Sequence, residues 1–226
     1  LDSLLGLLAL LSCGWYVMTS GYYSSLAAGS AAPQTAAIAF GGGRSGPDAV
    51  YAQTETWNGT NWTEVNDLNQ KRSFAVGTGT NTAALCFGGS TGAGGNPPIT
   101  NETETWNGTN WTEVNDLNTA RNYLGGTGVN NTLALAFGGS PYPSVSGLTE
   151  YYNGTNWTEV NDLNTARNYL AGAGISTNAL AIGGAPVSPA GALTESFNGT
   201  NWTEVNDMNT AKNKLAGAGT STAALA

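Results

Sequence analysis

The sequence predicts an all-β protein assembled from repeated four-stranded units, and three observations carry that expectation. The ten residues "NGTNWTEVND" occur four times unchanged, starting at Asn58, Asn107, Asn153 and Asn198. The aromatic residue just ahead of each copy recurs at Trp57, Trp106, Tyr152 and Phe197, at spacings of 49, 46 and 45 residues. Periods of that size belong to radially stacked sheets or to helical solenoids. No segment repeats apolar residues at i, i+3, i+4 and i+7 over three turns, so the helical alternative is set aside.

Each unit reads as four short strands. "TETWNGTNWTEV", residues 54–65, reads as a hairpin with Asn58-Gly59 at its tip, because Asn-Gly accepts the positive φ of tight turns. Its arms are rich in Thr, Trp and Val, which suit a pleated surface. "NDLNTAR" then crosses to "NYLAGAG", a strand of small residues, and a polar turn such as "ISTN" leads into "ALAIGG". Small residues in one strand and bulky ones in the outer hairpin suit strands radiating from an axis, as in a β-propeller. A strand apolar on both faces, such as "ALAFGG", must be covered on both sides.

By this reading inner strand pairs lie near residues 22–42, 73–89, 122–139, 168–184 and 214–226. Outer hairpins lie near 54–66, 103–115, 148–161 and 193–206. Residues 1–226 form a single domain, in which 1–19, with Trp15 and Val17, are a divergent outer hairpin or an N-terminal remnant.

Composition narrows the function classes. Charged residues make up 10 % of the 226 residues, against about 25 % in typical soluble domains. The 32 glycines suit closely approaching backbones. Seven Trp and nine Tyr argue against disorder. The net charge is −8 and the seven basic residues form no run longer than the pair Lys71-Arg72, so no stripe exists for a phosphate backbone and no nucleic-acid partner is expected. There is no histidine, which removes the commonest general base and metal ligand together. Cys13 and Cys86 are too few for a disulfide framework. Cys86 stands in "ALCFGG" where other copies carry Ala, and reads as a small buried hydrophobe. The N-terminal run "LLGLLALLSCGWYV" faintly resembles a bacterial lipoprotein signal but has no basic residue before it. It falls short of the ~20 residues of a spanning helix, and no membrane insertion is expected.

Several elements recur together in order. They are Gly41-Gly42, Glu55, Trp57, Trp62 and Arg72, then Gly88-Gly89, Glu104, Trp106, Trp111 and Arg121. Gly138-Gly139, Glu150, Tyr152, Trp157 and Arg167 follow, and then Gly183-Gly184, Glu195, Phe197, Trp202 and Lys212. A double glycine, an acid before an aromatic, a Trp and a later Arg resemble the kelch repeat, over about residues 20–226. The near-identity of the copies, the "NGTNW" turn and Lys212 depart from that pattern. The resemblance implies a β-propeller of four-stranded kelch-like blades. Counting inner pairs gives five blades, as a closed ring or as a segment of a longer array.

Repetition weighs against catalysis, since an active site needs one asymmetric constellation. Glu55, Glu104, Glu150 and Glu195 are expected to pair with Arg72, Arg121, Arg167 and Lys212 or with backbone amides. Trp62, Trp111, Trp157 and Trp202 are expected to pack between blades rather than to line a sugar site. The Asn and Asp of "EVNDLN" suit either turn caps or an oxygen-lined calcium site. Asn-X-Thr occurs at Asn58, Asn61, Asn107, Asn110, Asn153, Asn156, Asn198 and Asn201, where hairpin chemistry competes with glycan attachment. The copper oxidase chemistry found among kelch-like proteins does not carry over without histidine. No phosphate loop and no nucleophile with a base appear. A non-enzyme without cofactor or metal is therefore expected.

What varies between copies is the connection after each double glycine, residues 43–53, 90–102, 140–147 and 185–192. Binding specificity on a rigid scaffold resides in such loops. Arg44, Asp48, Asn96, Tyr142 and Ser144 are the candidate partner contacts. The "NGTNWTEVND" repeats resemble kelch-like proteins of marine bacteria and phages, which implies an extracellular structural or adhesion module on a virion or cell surface. Its partners would be other virion or surface proteins or host glycans, within a larger assembly. A glycan-binding lectin is the alternative.

Overall fold

A computed structural model describes residues 23–29, 35–44, 50–92, 98–186 and 191–226, with backbone alone for 23–29 and 44. Every regular element among the described residues is a strand. No helix there is long and apolar enough to cross a membrane. The first sheet joins β1 (Tyr23–Gly29), β2 (Ala37–Arg44), β3 (Thr54–Trp57) and β4 (Trp62–Val65) in that order. The second joins β5 (Val76–Thr80), β6 (Ala83–Phe87), β7 (Thr103–Trp106) and β8 (Trp111–Val114). The third joins β9 (Gly125–Asn130), β10 (Leu133–Phe137), β11 (Thr149–Tyr152) and β12 (Trp157–Val160). The fourth joins β13 (Ala171–Ile175), β14 (Asn178–Ile182), β15 (Thr194–Phe197) and β16 (Trp202–Glu204). A two-stranded sheet of β17 (Ala218–Thr220) and β18 (Ala223–Leu225) completes the described elements.

All pairings within these sheets are antiparallel. The first strands β1, β5, β9, β13 and β17 lie side by side in sequence order, so the sheets are arranged in a propeller-like manner. The inner pairs and outer hairpins expected from the repeat coincide with these strands. The outer hairpin expected in residues 1–19 lies outside the described residues.

The hairpin tips are built differently from a two-residue Asn-Gly turn. Trp57 pairs with Trp62 across a four-residue loop, in which Gly59 takes φ +95°. Asn58 contributes through its side chain: its Oδ1 accepts from the amides of Thr60 and Asn61, both at 2.9 Å. The same pair of bonds recurs at Asn107, Asn153 and Asn198. The second Asn of the loop is also engaged, because Asn110, Asn156 and Asn201 accept from Asn66, Asn115 and Asn161 of the preceding sheet. The Asp of "EVNDLN" caps its own hairpin, with Oδ1 of Asp67, Asp116, Asp162 and Asp207 accepting the amide of the Thr that opens the outer hairpin.

The double glycine is required by approach as well as by turn. Gly138 and Gly139 have φ of +63° and +95°. A Cβ on Gly138 would stand 2.5 Å from the carbonyl oxygen of Arg167. The amide of Gly139 donates to that same carbonyl at 2.8 Å.

The strand read as "NYLAGAG" begins later than the sequence suggested. Tyr169 has φ +54°, and β13 starts only at Ala171. Phe74, Tyr123 and Lys214, at equivalent places, have φ of +54°, +54° and +57°. Their amides link successive sheets: Tyr123 donates to Phe74, Tyr169 to Tyr123 and Lys214 to Tyr169.

The core lies between neighbouring sheets. Each of three junctions holds an edge-on aromatic pair, Phe40 with Trp111, Phe87 with Trp157 and Phe137 with Trp202, at 4.7, 4.8 and 5.0 Å. Cys86 is buried and free in the first junction, as its alanine-like slot predicts.

Candidate functional site

Two arrangements are candidates, a repeated polar lock between sheets and the end of the molecule where the variable loops leave. The lock is built by the crossing segment of one repeat gripping the outer hairpin of the next. Arg121, on the segment after β8, donates from Nη2 to Glu150 Oε1 on β11 at 2.8 Å. Its Nη1 donates to the carbonyls of Gly138 and Leu148 at 2.7 and 2.6 Å. Asn118 adds its amide and side chain, both to Glu150 Oε2, at 2.7 and 2.9 Å. Arg72 meets Glu104 at 2.5 Å and Arg167 meets Glu195 at 3.0 Å in the same way. Arg72 also contacts Glu102 at 3.3 Å.

These three arginines are fully buried and their repeat carboxylates nearly so. Burial holds Arg121 and Arg167 below the ordinary arginine value, while Glu150 and Glu195 pull the other way. An isolated buried charge is very costly, so the lock exists only because every pair is closed and further hydrogen-bonded.

The pairing runs forward. The expectation was pairing with the repeat's basic residues or with backbone amides. Glu104, Glu150 and Glu195 do accept the amides of Asn69, Asn118 and Asn164, but the basic partner of each is that of the repeat before, not its own. Glu55 is half-buried and Lys212 exposed, and neither forms an ion pair with a described residue. The tryptophans follow the same direction. Nε1 of Trp111, Trp157 and Trp202 donates to Oγ1 of Thr54, Thr103 and Thr149 at 3.0, 3.1 and 3.1 Å. Trp111, Trp157 and Trp202 are buried between sheets as expected, and Trp62 is half-buried. Asn69, Asn118 and Asn164 and these threonines were not singled out as functional in the sequence, although their recurrence in "NDLN" and "TE" was the available signal.

The loop end follows from register. β2, β6, β10 and β14 all run antiparallel to the first strand of their sheet, and Phe87, Phe137 and Ile182 end opposite Val76, Gly125 and Ala171. All four connections therefore leave at the end where the first strands begin. Tyr142 and Ser144 are exposed there, two residues apart on one loop. Arg44 ends β2, and only its backbone is described; Asp48 and Asn96 lie outside the described residues. Tyr142 and Ser144 are thus the candidate contacts whose side chains are described, and they share one loop.

The same end carries an arc that the sequence did not flag. The rings of Phe74, Tyr123 and Tyr169 pack against one another with centres 4.3 and 4.1 Å apart and planes tilted by 56° and 31°, and Lys214 Nζ lies 5.5 Å from the Tyr169 ring centre. Burial and the neighbouring Tyr169 hydroxyl raise the Tyr123 hydroxyl well above the ordinary range. Bulky residues at positive φ store strain. Among the described residues no three His, Cys, Asp or Glu side chains group as a metal site.

The fold and site define a repeat protein of propeller-like, all-β architecture whose sheets are locked in series. No family model matches the chain, and a search of curated proteins returns no match.

Proposed function

We propose that this protein is a non-enzymatic structural or adhesion module of a virion or cell surface, built of five kelch-like blades and binding through its double-glycine loops. The observation that carries the reading is a contrast within each repeat. The locking residues are nearly invariant and inward, whereas the loops differ in length and composition and leave from one end. Stability therefore resides in parts that do not vary, and recognition is free to evolve in parts that do. The resemblance to kelch-like proteins of marine bacteria and phages supplies the surface setting and the partners, other surface proteins or host glycans.

One observation favours the lectin reading. The half-buried arc of Phe74, Tyr123 and Tyr169 shares the loop end, and aromatic faces with a polar tip suit sugar rings. Exchange of loops 140–147 and 185–192, with circular dichroism checking the fold, tests the first reading. Attachment to the native particle or host surface should change. Undiminished attachment would leave the repeats as a spacer, and defined sugar binding on a glycan array, lost in Tyr123→Ala, would favour the lectin.

A further inference from the structure

The four hairpin tips carry a chemistry that neither the lock nor the variable loops use. Each tip is an exposed Asn-Gly-Thr-Asn loop, at residues 58–61, 107–110, 153–156 and 198–201. No other Asn of the chain is followed by Gly. In the second tip, Asn107 Oδ1 accepts from the amides of Thr109 and Asn110, both at 2.9 Å. Two N–H groups converging on one carbonyl oxygen form an oxyanion hole, ready for negative charge on that oxygen. The Gly108 amide donates to no described residue, which leaves its nitrogen open as a nucleophile. Asn107 Nδ2 has no described partner either, and the residue is exposed, so this leaving group reaches water.

Space is open as well. A Cβ on Gly108 would meet nothing closer than the Thr82 carbonyl oxygen at 3.5 Å. The same cradle recurs at Asn58, Asn153 and Asn198, whose Oδ1 atoms each accept the two following turn amides. The second Asn of each loop differs. It precedes a bulky Trp, and Oδ1 of Asn110, Asn156 and Asn201 is held by an Asn of the preceding sheet.

We infer that the four tips are self-modification sites of the folded protein, at which Asn58, Asn107, Asn153 and Asn198 convert through a cyclic imide to aspartate and isoaspartate. At Asn107 the Gly108 nitrogen loses its proton to hydroxide and attacks Cγ. As the new C–N bond forms, the carbonyl electron pair moves onto Oδ1, where the two amides receive it. Its return breaks the bond to Nδ2, which takes a proton from water and leaves as ammonia. Water then opens the imide at either carbonyl, and nothing is oxidised or reduced. Each conversion adds one negative charge, so four of them take the net charge from −8 to −12. Isoaspartate also lengthens the backbone of a loop that Asn66 of the preceding sheet grips, through the Thr109 carbonyl at 2.9 Å and Asn110 Oδ1 at 2.7 Å. The reaction thus acts on the outer ties between sheets and spares the buried lock. The inference is independent of what the variable loops bind.

The test is peptide mapping by mass spectrometry after storage of the native protein at neutral pH. Cleavage after Lys and Arg places each tip on its own peptide, residues 45–71, 73–121, 122–167 and 168–212. Aspartate and isoaspartate are expected at residues 58, 107, 153 and 198, and faster as pH rises, while the other asparagines stay intact. Gly108→Ala should slow the reaction at Asn107 at least about tenfold, because a Cβ hinders the attacking nitrogen, with the other three tips as internal controls. Thr109→Pro, which deletes one donor to Oδ1, should slow the same site alone. Tips that stay intact in the native protein while the urea-unfolded chain reacts would overturn the inference. So would equal conversion at other exposed asparagines, or an unchanged rate in Thr109→Pro.

Discussion

Arg121 and Glu150 are 29 residues apart and belong to different repeats, yet their side chains meet at 2.8 Å with almost no exposure to solvent. Each repeat is thus tied to the next by the least water-exposed charges in its neighbourhood. Removing one partner leaves the other charge buried and alone. Arg121→Ala and Glu150→Ala are each expected to cost about 3–5 kcal/mol, as broken buried pairs do. The double variant should cost less than the sum, which urea unfolding in a double-mutant cycle will read.

The indole bond makes a gentler probe of the same junction. Thr103→Val keeps the shape but removes the acceptor of Trp157, and should cost about 1–3 kcal/mol. Trp157→Ala should cost about 3–5 kcal/mol, because it also empties the space beside Phe87. Trp62→Ala, at a half-buried position, should cost measurably less. Equal shifts in denaturation midpoint for Trp62 and Trp157 would contradict the burial difference.

Each turn depends on one side chain and one φ angle. Gly154→Ala, at φ +93°, should destabilise by more than about 1 kcal/mol. Asn153→Ala removes two hydrogen bonds to the turn amides, at 3.0 and 2.9 Å, with a loss of about 1 kcal/mol for an exposed site. Thermal melts of both variants against the parent provide the check.

Burial pushes the Cys86 thiol up to about 12, with Arg72 opposing and Glu104 adding to the rise. The folded state therefore keeps its proton after the unfolded thiol, near 9, has lost its own. This contribution to stability is fully present below pH 9 and is lost progressively between pH 9 and 12. In a Cys13→Ser variant, a thiol reagent at pH 8 should label nothing until denaturant is added. Labelling of the native protein would show that the first junction opens.

Much of the architecture is written locally and so can be read from the chain. Asn58-Gly59 marks a hairpin because only a residue without Cβ takes φ +95° easily, and because an Asn carboxamide can satisfy two turn amides. The repeat spacing and the Thr/Trp-rich arms give strand order within a sheet, since antiparallel neighbours are joined by short connections. The direction of the lock is different. Glu104 is 17 residues before Arg121 in sequence but is held by Arg72, and nothing local distinguishes the two arginines. That choice is made when neighbouring sheets pack, because only the crossing segment ahead of a sheet reaches its buried carboxylate. The arc of Phe74, Tyr123 and Tyr169 is likewise decided by stacking: its positive φ is imposed by the amide bonds linking one sheet to the next, against the residues' own preference.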